Sequence, residues 1–400
     1  MKSVRNVLFS ACVSVLLLAC IVNAGLDFVQ GVDKKQSFLE GRYYQECPAV
    51  TVHSFLEGDM QDETEQYFAD LVPRRDSVLL GNAALQRWGI TTANIPFGFQ
   101  AYPTFFGSGF LACPSYEAIA EYPTTQDVAT PELVGRARKA VETAVKNHDD
   151  VNWLFALVDR SRNSLSNPAH DLVENPADYD YYRTQLLEKL PASCPYVDLS
   201  IDDSDRYYDV YYHTDHHAQI GNALDAYQKI MKALDRKPID IPEIREVYSG
   251  PFYGSEARSG LTVDYSDAVY DIVQPPAEFT VEVNGKKMDL AWLNAGYGTE
   301  PYEKKHRFAN TYAEYFHGDR GHIHITNPEG NGSLLIVGDS FTNNMDYLFA
   351  YSYHDVHIVD PRHYDGTLNE FLDENPVDDA VLLMASNTLV GKKMRAFLSK

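Results

Sequence analysis

Hydrophobic and polar positions follow two alternating patterns in the last quarter of the chain. Continuous apolar runs occupy residues 334–337, 356–359 and 380–384, and such runs are typical of strands buried on both faces of a sheet. Between them, residues 342–351 and 367–374 carry the mixed pattern of short helices. Strands that alternate with helices over short loops predict right-handed crossovers and therefore a parallel sheet.

The same alternation extends upstream. Residues 131–148 predict an amphipathic helix that begins at Pro131, and residues 151–158 form another apolar run typical of a buried strand. Residues 218–234 carry their apolar side chains on one helical face. The pattern therefore predicts an α/β fold, in which ligands bind beyond the carboxyl ends of the parallel strands.

The remaining segments predict insertions around this sheet. Residues 55–90 predict helices broken near Pro73, residues 91–130 predict loops and short strands, and residues 245–310 predict mixed strands and turns. No internal repeat or low-complexity linker separates these segments. Residues 30–400 are therefore predicted to form one domain with a helical N-terminal segment.

The N-terminus has the charge pattern of an export signal. Lys2 and Arg5 precede an uncharged, largely apolar run over residues 6–26. About 20 apolar residues can span a bilayer as a helix, and a positive flank before an apolar stretch is typical of secretory signals. Residues 1–29 therefore predict an uncleaved signal-anchor or a signal peptide, which places the rest of the chain outside the cytoplasm.

Two alternatives for this segment lead to the same compartment. One is cleavage after Ala24, and the other is lipidation of Cys20, because Leu17-Leu18-Ala19-Cys20 approximates a lipobox. Beyond the apolar run, three cysteines allow at most one internal disulfide. No Cys-x-x-Cys pair supports a zinc ribbon or a thioredoxin-like site, and no cofactor is expected.

Composition narrows the classes of function. The 400 residues carry a net charge of −23, so binding to nucleic acid or to an anionic membrane through a basic face is not expected. Hydrophobic residues make up 44% of the chain, which is enough for a packed core and excludes a mainly disordered protein.

A candidate nucleophile follows the apolar run at 334–337. Gly338-Asp339-Ser340 predicts a tight strand-to-helix turn that exposes the Ser340 hydroxyl at the sheet edge. Gly338 lets the backbone turn without a Cβ clash, and the N–H groups of the helix start would stabilise negative charge. Taken alone, the tripeptide is also a common turn.

A candidate base lies upstream, in Thr214-Asp215-His216-His217. The Asp-x-His spacing lets one loop place a carboxylate beside an imidazole, which would orient the ring and support its charged form. Two other interpretations stay open here. The segment fits a helix cap with two exposed histidines, and with His213 it fits a metal site.

A third candidate is Asn387, which follows the apolar run at 380–384. Its side-chain amide would supply an oxyanion donor, although an ordinary turn at the strand end fits equally well.

These motifs, together with Ile358-Val359-Asp360-Pro361-Arg362-His363-Tyr364, resemble the bacterial DHHW proteins. DHHW proteins are SGNH-hydrolase-like relatives of the alginate O-acetylation proteins AlgX and AlgJ. The segments Glu40-Gly41-Arg42, Phe55-Leu56-Glu57-Gly58 and Phe252-Tyr253-Gly254-Ser255 also resemble that family. The resemblance spans roughly residues 38–390 and implies an SGNH-hydrolase-like, flavodoxin-like parallel sheet flanked by helices, with irregular insertions.

Carried over by position, the resemblance implies Ser340 as nucleophile, His217 as general base and Asp215 as the group that orients His217. The Asp-x-His motif precedes the serine, so the motif order is inverted relative to common SGNH esterases, as in a circularly permuted fold. Asn387 is the implied oxyanion amide.

Three more residues are candidates for oxyanion or substrate contacts by the same resemblance, namely Gly338, Asp339 and Arg362. One departure from the family pattern stands beside the base, because the motif ends in Trp and Ala218 occupies that position here. We expect this change to widen the acyl pocket, to loosen the histidine, or to mark an inactive descendant.

The resemblance implies an extracytoplasmic serine O-acetyltransferase or acetylesterase that acts on a cell-envelope or exported polysaccharide through an acyl-enzyme. It also implies a membrane-bound O-acyltransferase as the partner that supplies acetyl groups. The alternative is a non-catalytic glycan-binding or assembly protein that retains the fold.

Overall fold

Helices and strands alternate through most of the chain. In the computed structural model, the described residues are 2–30, 36–37, 39, 42–48, 56, 59–94, 100–103, 109–113, 116–124, 130–174, 176, 184–187, 190–240, 243–273, 277–299 and 308–399. The helices are α1 (Lys2–Gln30), α2 (Asp59–Asp70), α3 (Arg75–Asn94), α4 (Pro131–Asn147), α5 (Tyr207–Val210), α6 (Ile220–Ala233), α7 (Ser255–Ser259), α8 (Thr311–Tyr315), α9 (Leu368–Glu374), α10 (Ser386–Leu389) and α11 (Lys392–Leu398). The strands are β1 (Gln36–Ser37), β2 (Arg42–Tyr43), β3 (Gln100–Pro103), β4 (Gly109–Cys113), β5 (Ala118–Glu121), β6 (Asn152–Val158), β7 (Tyr196–Val197), β8 (Ile244–Phe252), β9 (Asp267–Ile272), β10 (Thr280–Val283), β11 (Lys286–Met288), β12 (His322–Thr326), β13 (Ser333–Gly338), β14 (Asp355–Val359) and β15 (Asp379–Ala385).

Eight of the described strands form the central sheet, in the order β11-β10-β12-β14-β13-β15-β6-β7. The neighbours from β14 to β7 run parallel, which confirms the predicted parallel sheet and its α/β class. The strands β12, β10 and β11 extend one edge in antiparallel fashion. This edge was not predicted as part of the sheet, because its short, half-polar strands lack the continuous apolar runs of the buried ones.

Helices cover both faces of the parallel strands. On one face, α4, α9 and α11 pack their apolar sides against alternate residues of β6, β13 and β15, and the other face is covered mainly by α6 and the turns after β13. Thr130 caps α4 by accepting a hydrogen bond from the Leu133 N–H, and Thr367 and Glu370 form a capping box at α9. The predicted helices at 131–148, 218–234 and 367–374 are confirmed.

The segment after β13 differs from its prediction. A helix over residues 342–351 was expected, and the chain instead forms two 3₁₀ segments, Ser340–Thr342 and Asp346–Tyr351. After the tight turn, backbone N–H groups donate to carbonyls three residues earlier, as from Thr342 to Asp339 and from Asn343 to Ser340. An α-helix, which needs bonds over four residues, therefore does not start at Ser340. The expected helix N-terminus behind the serine is therefore missing.

The N-terminal part contains helices where they were predicted. The expected helical region 55–90 forms α2 and α3, and the break falls at residues 71–74, where Arg74 has φ of +52°. Residues 55, 57 and 58 of that region lie outside the described residues, as do residues 40 and 41 of the family-like segment.

The first helix, α1, covers the apolar run that was predicted to direct export. Within the described residues, no helix combines the length and the apolar character that crossing a membrane requires. Cys47, Cys113 and Cys194 carry free thiols.

Candidate active site

The loop between α5 and α6 carries Asp215 and His217. The loop closes on itself, because the Tyr212 N–H donates to the His217 carbonyl at 3.1 Å. Its centre is anchored from outside, since the Thr214 N–H donates to a carboxylate oxygen of Asp267 at 2.8 Å. These bonds fix the loop just before α6 and leave two side chains facing the end of β13.

Ser340, His217 and Asp215 form a continuous hydrogen-bonded chain. The His217 Nε2 atom lies 3.0 Å from the Ser340 Oγ, and the His217 Nδ1 lies 2.6 Å from the Asp215 Oδ1. Asp215 is 2% exposed and His217 is 6% exposed, so the interpretation as a cap with two exposed histidines is wrong for His217. This is the geometry of a hydroxyl, a base and a carboxylate that orients the base.

The second oxygen of Asp215 is held from α7. The Ser255 N–H donates to the Asp215 Oδ2 at 2.6 Å. The approach depends on Gly254, because a Cβ at that position would lie 2.3 Å from the Asp215 Cβ and 2.3 Å from the Thr214 carbonyl oxygen. Glycine at position 254 therefore lets α7 begin in direct contact with the Asp215 side chain.

The surroundings keep Asp215 ionised. Burial alone would raise the pKa of Asp215, but the charges of His216 and His217 and the hydrogen bonds from His217 and Ser255 hold that pKa well below its usual range. An ionised carboxylate at this position stabilises the positive charge that His217 acquires when it accepts a proton.

His217 is packed between aromatic rings, although Ala218 stands where the DHHW pattern has tryptophan. The Tyr312 ring stacks on the imidazole at 3.7 Å between centroids, and the Phe341 ring lies at 4.8 Å. The Tyr312 hydroxyl also donates to the Ser340 carbonyl at 3.1 Å. Of the three expectations for Ala218, the loosened histidine is not supported, because these rings hold the imidazole in place. The Tyr312 ring comes from α8, far along the chain, and the local motif does not reveal it.

The turn that presents Ser340 is tightly packed. A Cβ at Gly338 would lie 2.8 Å from the Thr342 Cγ2, so glycine is needed there for close approach, as predicted. The Asp339 side chain is buried and accepts from the Ala385 N–H at 3.0 Å, which ties the turn to the end of β15. Burial raises the pKa of Asp339. Asp339 therefore lies beneath the turn, where it supports the backbone, and does not reach a substrate as predicted.

Two hydrogen-bond donors near Ser340 are unused within the described part of the chain. One is the Ser340 backbone N–H, and the other is the side-chain amide of Asn343, three residues later. Asn343 lines the same cleft as the hydroxyl. The sequence-derived candidate, Asn387, is exposed at the start of α10 and does not line the cleft. Unlike Asn387, Asn343 lines the cleft that holds the Ser340 hydroxyl.

Arg362 does not line the cleft itself but contacts a residue that does. Its Nη2 atom lies 2.6 Å from the Asp360 Oδ2 and 3.1 Å from the Asp319 Oδ2. Asp319 lines the cleft and Arg362 does not. Arg362 thus positions a wall of the cleft instead of contacting a substrate directly.

The cleft above the serine has a volume of about 210 Å³. It is lined by Asp215, His216, His217, Ser255, Arg258, Asn310, Tyr312, Ala313, Asp319, Ser340 and Asn343. His216 lies 2.6 Å from the Ser255 Oγ through its Nδ1, and burial lowers the pKa of His216 well below its usual range. Of the cleft residues not predicted as site residues, two had a sequence signal: His216 in Thr214-Asp215-His216-His217, and Ser255 in Phe252-Tyr253-Gly254-Ser255.

Two groups of side chains have metal-ligand chemistry within the described residues. In the first, Asp215, His216 and His217 offer ligand atoms within 4.8 Å of one another, but His217 Nδ1 and Nε2 already face Asp215 and Ser340. His213, which the metal interpretation included, instead points its Nε2 at the Tyr208 carbonyl. The triad geometry accounts for this cluster without an ion.

The second group consists of Asp319, Asp360 and His363. The guanidinium of Arg362 already sits against both of its carboxylates, and a cation in that position repels a metal ion.

No protein-family model and no curated protein sequence matches the chain. Among solved structures, Bacillus cereus PatB1 with a sulfonyl adduct aligns with a TM-score of 0.58 and 19% identity, over 72% of this chain and 98% of PatB1. A DHHW family protein from Eubacterium siraeum aligns with a TM-score of 0.55 and 14% identity, over 72% and 94% of the two chains. The likeness to DHHW proteins that the motifs predicted is thus confirmed at the level of the fold.

A third solved structure is more distant. The O-acetyltransferase domain of Pseudomonas putida AlgJ aligns with a TM-score of 0.40 and 12% identity, over 75% of this chain and 99% of that domain.

Proposed function

We propose that this chain is a serine-dependent O-acetyltransferase or acetylesterase that acts on a polysaccharide through an acyl-enzyme on Ser340. The observation that carries the proposal is the 3.0 Å contact between the Ser340 Oγ and the His217 Nε2, with Asp215 at 2.6 Å behind the imidazole. A serine that shares a hydrogen bond with an oriented imidazole is the arrangement that activates a hydroxyl for attack on an ester.

In the first half-reaction, the Ser340 oxygen attacks the ester carbonyl carbon while its proton passes to the His217 Nε2. The carbonyl oxygen becomes an oxyanion, and we propose the Ser340 N–H and the Asn343 amide, both at the cleft, as the donors that stabilise it. The imidazolium then protonates the leaving alcohol oxygen as its bond to the acyl carbon breaks. This step leaves the acetyl group on Ser340 and His217 neutral.

In the second half-reaction, the oxygen of an acceptor hydroxyl attacks the acyl carbon and gives its proton to the His217 Nε2. The bond from that carbon to the Ser340 oxygen then breaks, and the imidazolium returns the proton to Ser340, which restores the free hydroxyl and neutral His217. Water as the acceptor gives an esterase, and a sugar hydroxyl gives a transferase. The same catalytic groups serve both reactions. Transfer dominates if the cleft binds the sugar acceptor and excludes water, and hydrolysis dominates if it does not. The family resemblance of the motifs favours transfer of acetyl groups supplied by a membrane-bound O-acyltransferase.

A structural neighbour suggests a probe for the nucleophile. PatB1, whose fold is similar, has been captured with a sulfonyl adduct. Sulfonyl reagents mark activated nucleophiles, and we propose Ser340 for that role here because its hydroxyl lies 3.0 Å from the His217 Nε2, on the turn after the parallel strand β13.

The strand order supports a circular permutation. From β14 to β7 the order along the sheet is β14-β13-β15-β6-β7, which matches the flavodoxin-like order 2-1-3-4-5 if β13 is counted as the first strand. On this count the fourth and fifth strands, β6 and β7, have moved to the front of the chain. The Asp-x-His loop follows β7 and the serine follows β13, so the inverted motif order is what such a permutation produces.

We further propose an extracytoplasmic location, with α1 as the export segment, either retained or removed. Lys2 and Arg5 ahead of the apolar run support this location. A fusion of residues 1–29 to a reporter that is active only outside the cytoplasm tests the proposal, and an inactive reporter rejects it.

The central test of the function is acylation of Ser340. The full-length chain is incubated with 4-nitrophenyl acetate and, separately, with a sulfonyl fluoride, and the peptides are examined by mass spectrometry. We expect an acetyl or a sulfonyl group on Ser340 in the wild-type chain and none in Ser340→Ala. Ser386→Ala, which changes a buried serine at the end of β15, is the matched control and should be labelled at Ser340 like the wild type. An unlabelled wild-type Ser340 overturns the proposal.

A further inference from the structure

A second pocket adjoins the cleft at Asn343. Asn343 lines the cleft together with Ser340, and it also lines an inner pocket of about 20 Å³. The other side chains with polar groups on the wall of this inner pocket include Asp271, His317, Asp346 and Tyr347. A volume of about 10–15 Å³ holds one water molecule when polar groups surround it. The inner pocket is therefore large enough for one water.

His317 gives the inner pocket a hydrogen-bond acceptor. Its Nε2 atom is buried and meets no hydrogen-bond partner among the described residues. Burial and the charge of Arg320 lower the pKa of His317 to about 4, so the ring is neutral near pH 7. The ring also forms a hydrogen bond to the Asn294 backbone carbonyl, which takes up its single N–H. The Nε2 is thus a lone pair that lacks a donor.

Asp346 gives the same pocket a hydrogen-bond donor. It follows Asn343 by three residues and is 7% exposed. Its carboxyl group meets the backbone N–H groups of Asp346 itself and of Tyr347, and within the described residues no side chain donates to it. Burial raises the pKa of Asp346 to about 7. In mildly acidic solution the carboxyl group therefore keeps its proton, and a protonated carboxyl donates.

The other titratable groups around Asp346 already have partners. Asp271 accepts from the Tyr347 hydroxyl at 3.0 Å and from the Ala295 N–H at 3.1 Å. Tyr312, whose charge would act on Asp346, donates its hydroxyl to a backbone carbonyl instead. Burial holds the pKa of both Tyr347 and Tyr312 well above the usual range, so neither tyrosine titrates near neutrality. Asp346 and His317 are left to bind whatever enters the inner pocket.

We propose that Asp346 and His317 hold one water molecule in the inner pocket, and that this water fixes the Asn343 amide towards Ser340. The Asp346 O–H donates to the water, and the water donates to the His317 Nε2 and to the Asn343 Oδ1. Three hydrogen bonds are typical of a buried water. With its Oδ1 held from the inner pocket, Asn343 presents its Nδ2 to the cleft.

Asp346 is thus a positioning residue that acts through Asn343. The inference rests on the proposed function, since it explains how the proposed oxyanion donor is oriented. Loss of the Asp346 proton reverses the first bond, because a carboxylate accepts a hydrogen from the water. The water then has one hydrogen left for two acceptors. We therefore expect kcat to fall as pH rises through about 7.

The pH dependence of kcat tests the orientation. The full-length chain hydrolyses 4-nitrophenyl acetate between about pH 5.5 and 9, and Ser340→Ala supplies the blank. The wild type should show the falling limb. Asp346→Asn should lose it, because the amide N–H₂ donates at every pH. Asp346→Leu cannot donate and should lower kcat about tenfold throughout, with KM within about twofold of the wild type.

Asp271→Asn is the matched control. Asp271 lines the same pocket, but its oxygens already accept from other groups, so this variant should keep the falling limb. A wild-type profile without a fall above about pH 7, a limb that persists in Asp346→Asn, or an undiminished kcat in Asp346→Leu overturns the inference.

Unfolding in urea tests the buried acid without any turnover. The folded chain keeps the Asp346 proton up to about pH 7, whereas an exposed aspartate loses its proton near ~4. The urea midpoint of the wild type should therefore fall relative to that of Asp346→Asn as pH rises from about 4 to 7. A difference in midpoint that does not change with pH overturns the inference, whether or not Ser340 is acylated. A chain that shows this shift, but whose Ser340 is not acylated, fails the proposed function and keeps the buried acid.

Discussion

The Tyr312 ring lies parallel to the His217 imidazole, with 3.7 Å between the ring centroids and 4° between the planes. This stacking holds the imidazole on the line from Asp215 to Ser340. The Tyr312 hydroxyl donates to the Ser340 carbonyl, so one side chain touches both the His217 imidazole and the Ser340 backbone. Tyr312 thus supplies the aromatic contact that the local motif lacks at Ala218.

Removing the ring should impair turnover more than removing the hydroxyl. Tyr312→Phe keeps the stacking and loses one hydrogen bond, so we expect about 1 kcal/mol of lost stability and near-normal kcat. Tyr312→Leu loses the stacking, and we expect kcat to fall roughly 3- to 10-fold. Ester turnover and urea unfolding of both variants check this. Equal kcat in the two variants would contradict a positioning role for the ring.

Asp215→Asn should nearly abolish turnover while leaving Ser340 in place. The amide cannot stabilise an imidazolium and favours the wrong histidine tautomer, and we expect kcat to fall roughly 10³-fold or more. The measurement is single-turnover acetylation of Ser340 followed by mass spectrometry. Asp267→Asn is the comparison, since Asp267 supports the loop through Thr214 without touching the base. A loss in Asp215→Asn no larger than in Asp267→Asn would show that Asp215 acts only through the loop.

Substitutions of Asn343 and Asn387 should have opposite effects on kcat. They test whether the oxyanion donor is the amide found in the cleft or the one that the family pattern implies. Asn343 lines the cleft beside Ser340, and its loss should lower kcat by about 10²- to 10³-fold with little change in KM, as expected for an oxyanion donor. Asn387→Ala should leave kcat unchanged because that side chain is exposed outside the cleft. The reverse result in steady-state ester hydrolysis would restore Asn387 as the donor.

Gly254→Ala should damage both stability and catalysis. The added methyl group meets the Asp215 Cβ and the Thr214 carbonyl at 2.3 Å, so the backbone of α7 must move and the Ser255 N–H withdraws from the carboxylate. We expect a loss of roughly 1–3 kcal/mol in the free energy of unfolding, together with lower kcat.

The matched control for that substitution is Gly135→Ala. Gly135 lies inside α4, and a Cβ there meets nothing within 4 Å. Alanine should therefore raise the free energy of unfolding by about 0.5–1 kcal/mol. Urea unfolding of both variants measures these changes. If Gly254→Ala leaves the free energy of unfolding unchanged, the close approach of α7 to Asp215 does not require glycine.

Acid should weaken the fold through His322 and His357, which lie on β12 and β14. Burial, with the charges of neighbouring histidines, lowers the pKa of His322 to about 4 and that of His357 to about 3. Between the ordinary pKa near 6.5 and these values, the unfolded chain binds protons that the folded chain does not. The free energy of unfolding therefore falls as pH drops from about 6.5 towards 4, by roughly 1–3 kcal/mol.

His357→Phe tests this source of acid sensitivity. Phenylalanine keeps a ring beside Phe371, which contacts His357 edge to face, and it does not titrate. Urea unfolding at several pH values should show a shallower fall for the variant than for the wild type. Identical slopes would assign the acid sensitivity to other groups.

The parallel strands were predictable because each one is buried on both faces and reads as an unbroken apolar run. The runs at 334–337, 356–359 and 380–384 each match a strand to within one residue at either end. The position of Ser340 was predictable because it follows β13 by a short, recognisable turn, and that of His217 because its Asp-x-His motif lies just before the helix α6. The antiparallel edge at His322–Thr326 escaped prediction, because alternating histidine and isoleucine resembles many exposed segments.

The cleft walls were beyond the reach of local patterns. Tyr312, Arg258 and Asn310 come from short helices and their caps, and only the long-range fold brings them to Ser340. The short helix turns after the nucleophile were misjudged because apolar residues there face the core in a 3₁₀ arrangement as well as in an α-helix. Asn387 was carried over from a family pattern, and the turn at α10 directs its side chain to solvent.

The pairing of β6 with β15 determines when the central sheet can form during folding. Asn152 lies opposite Asp379, more than two hundred positions apart in the chain, and β15 is inserted between β13 and β6. While the chain is being synthesised, β6 has no partner on that side until residues 379–385 have emerged. Such distant pairings slow folding, so this part of the sheet closes, and the apolar edge of β6 is covered, only after those residues are available.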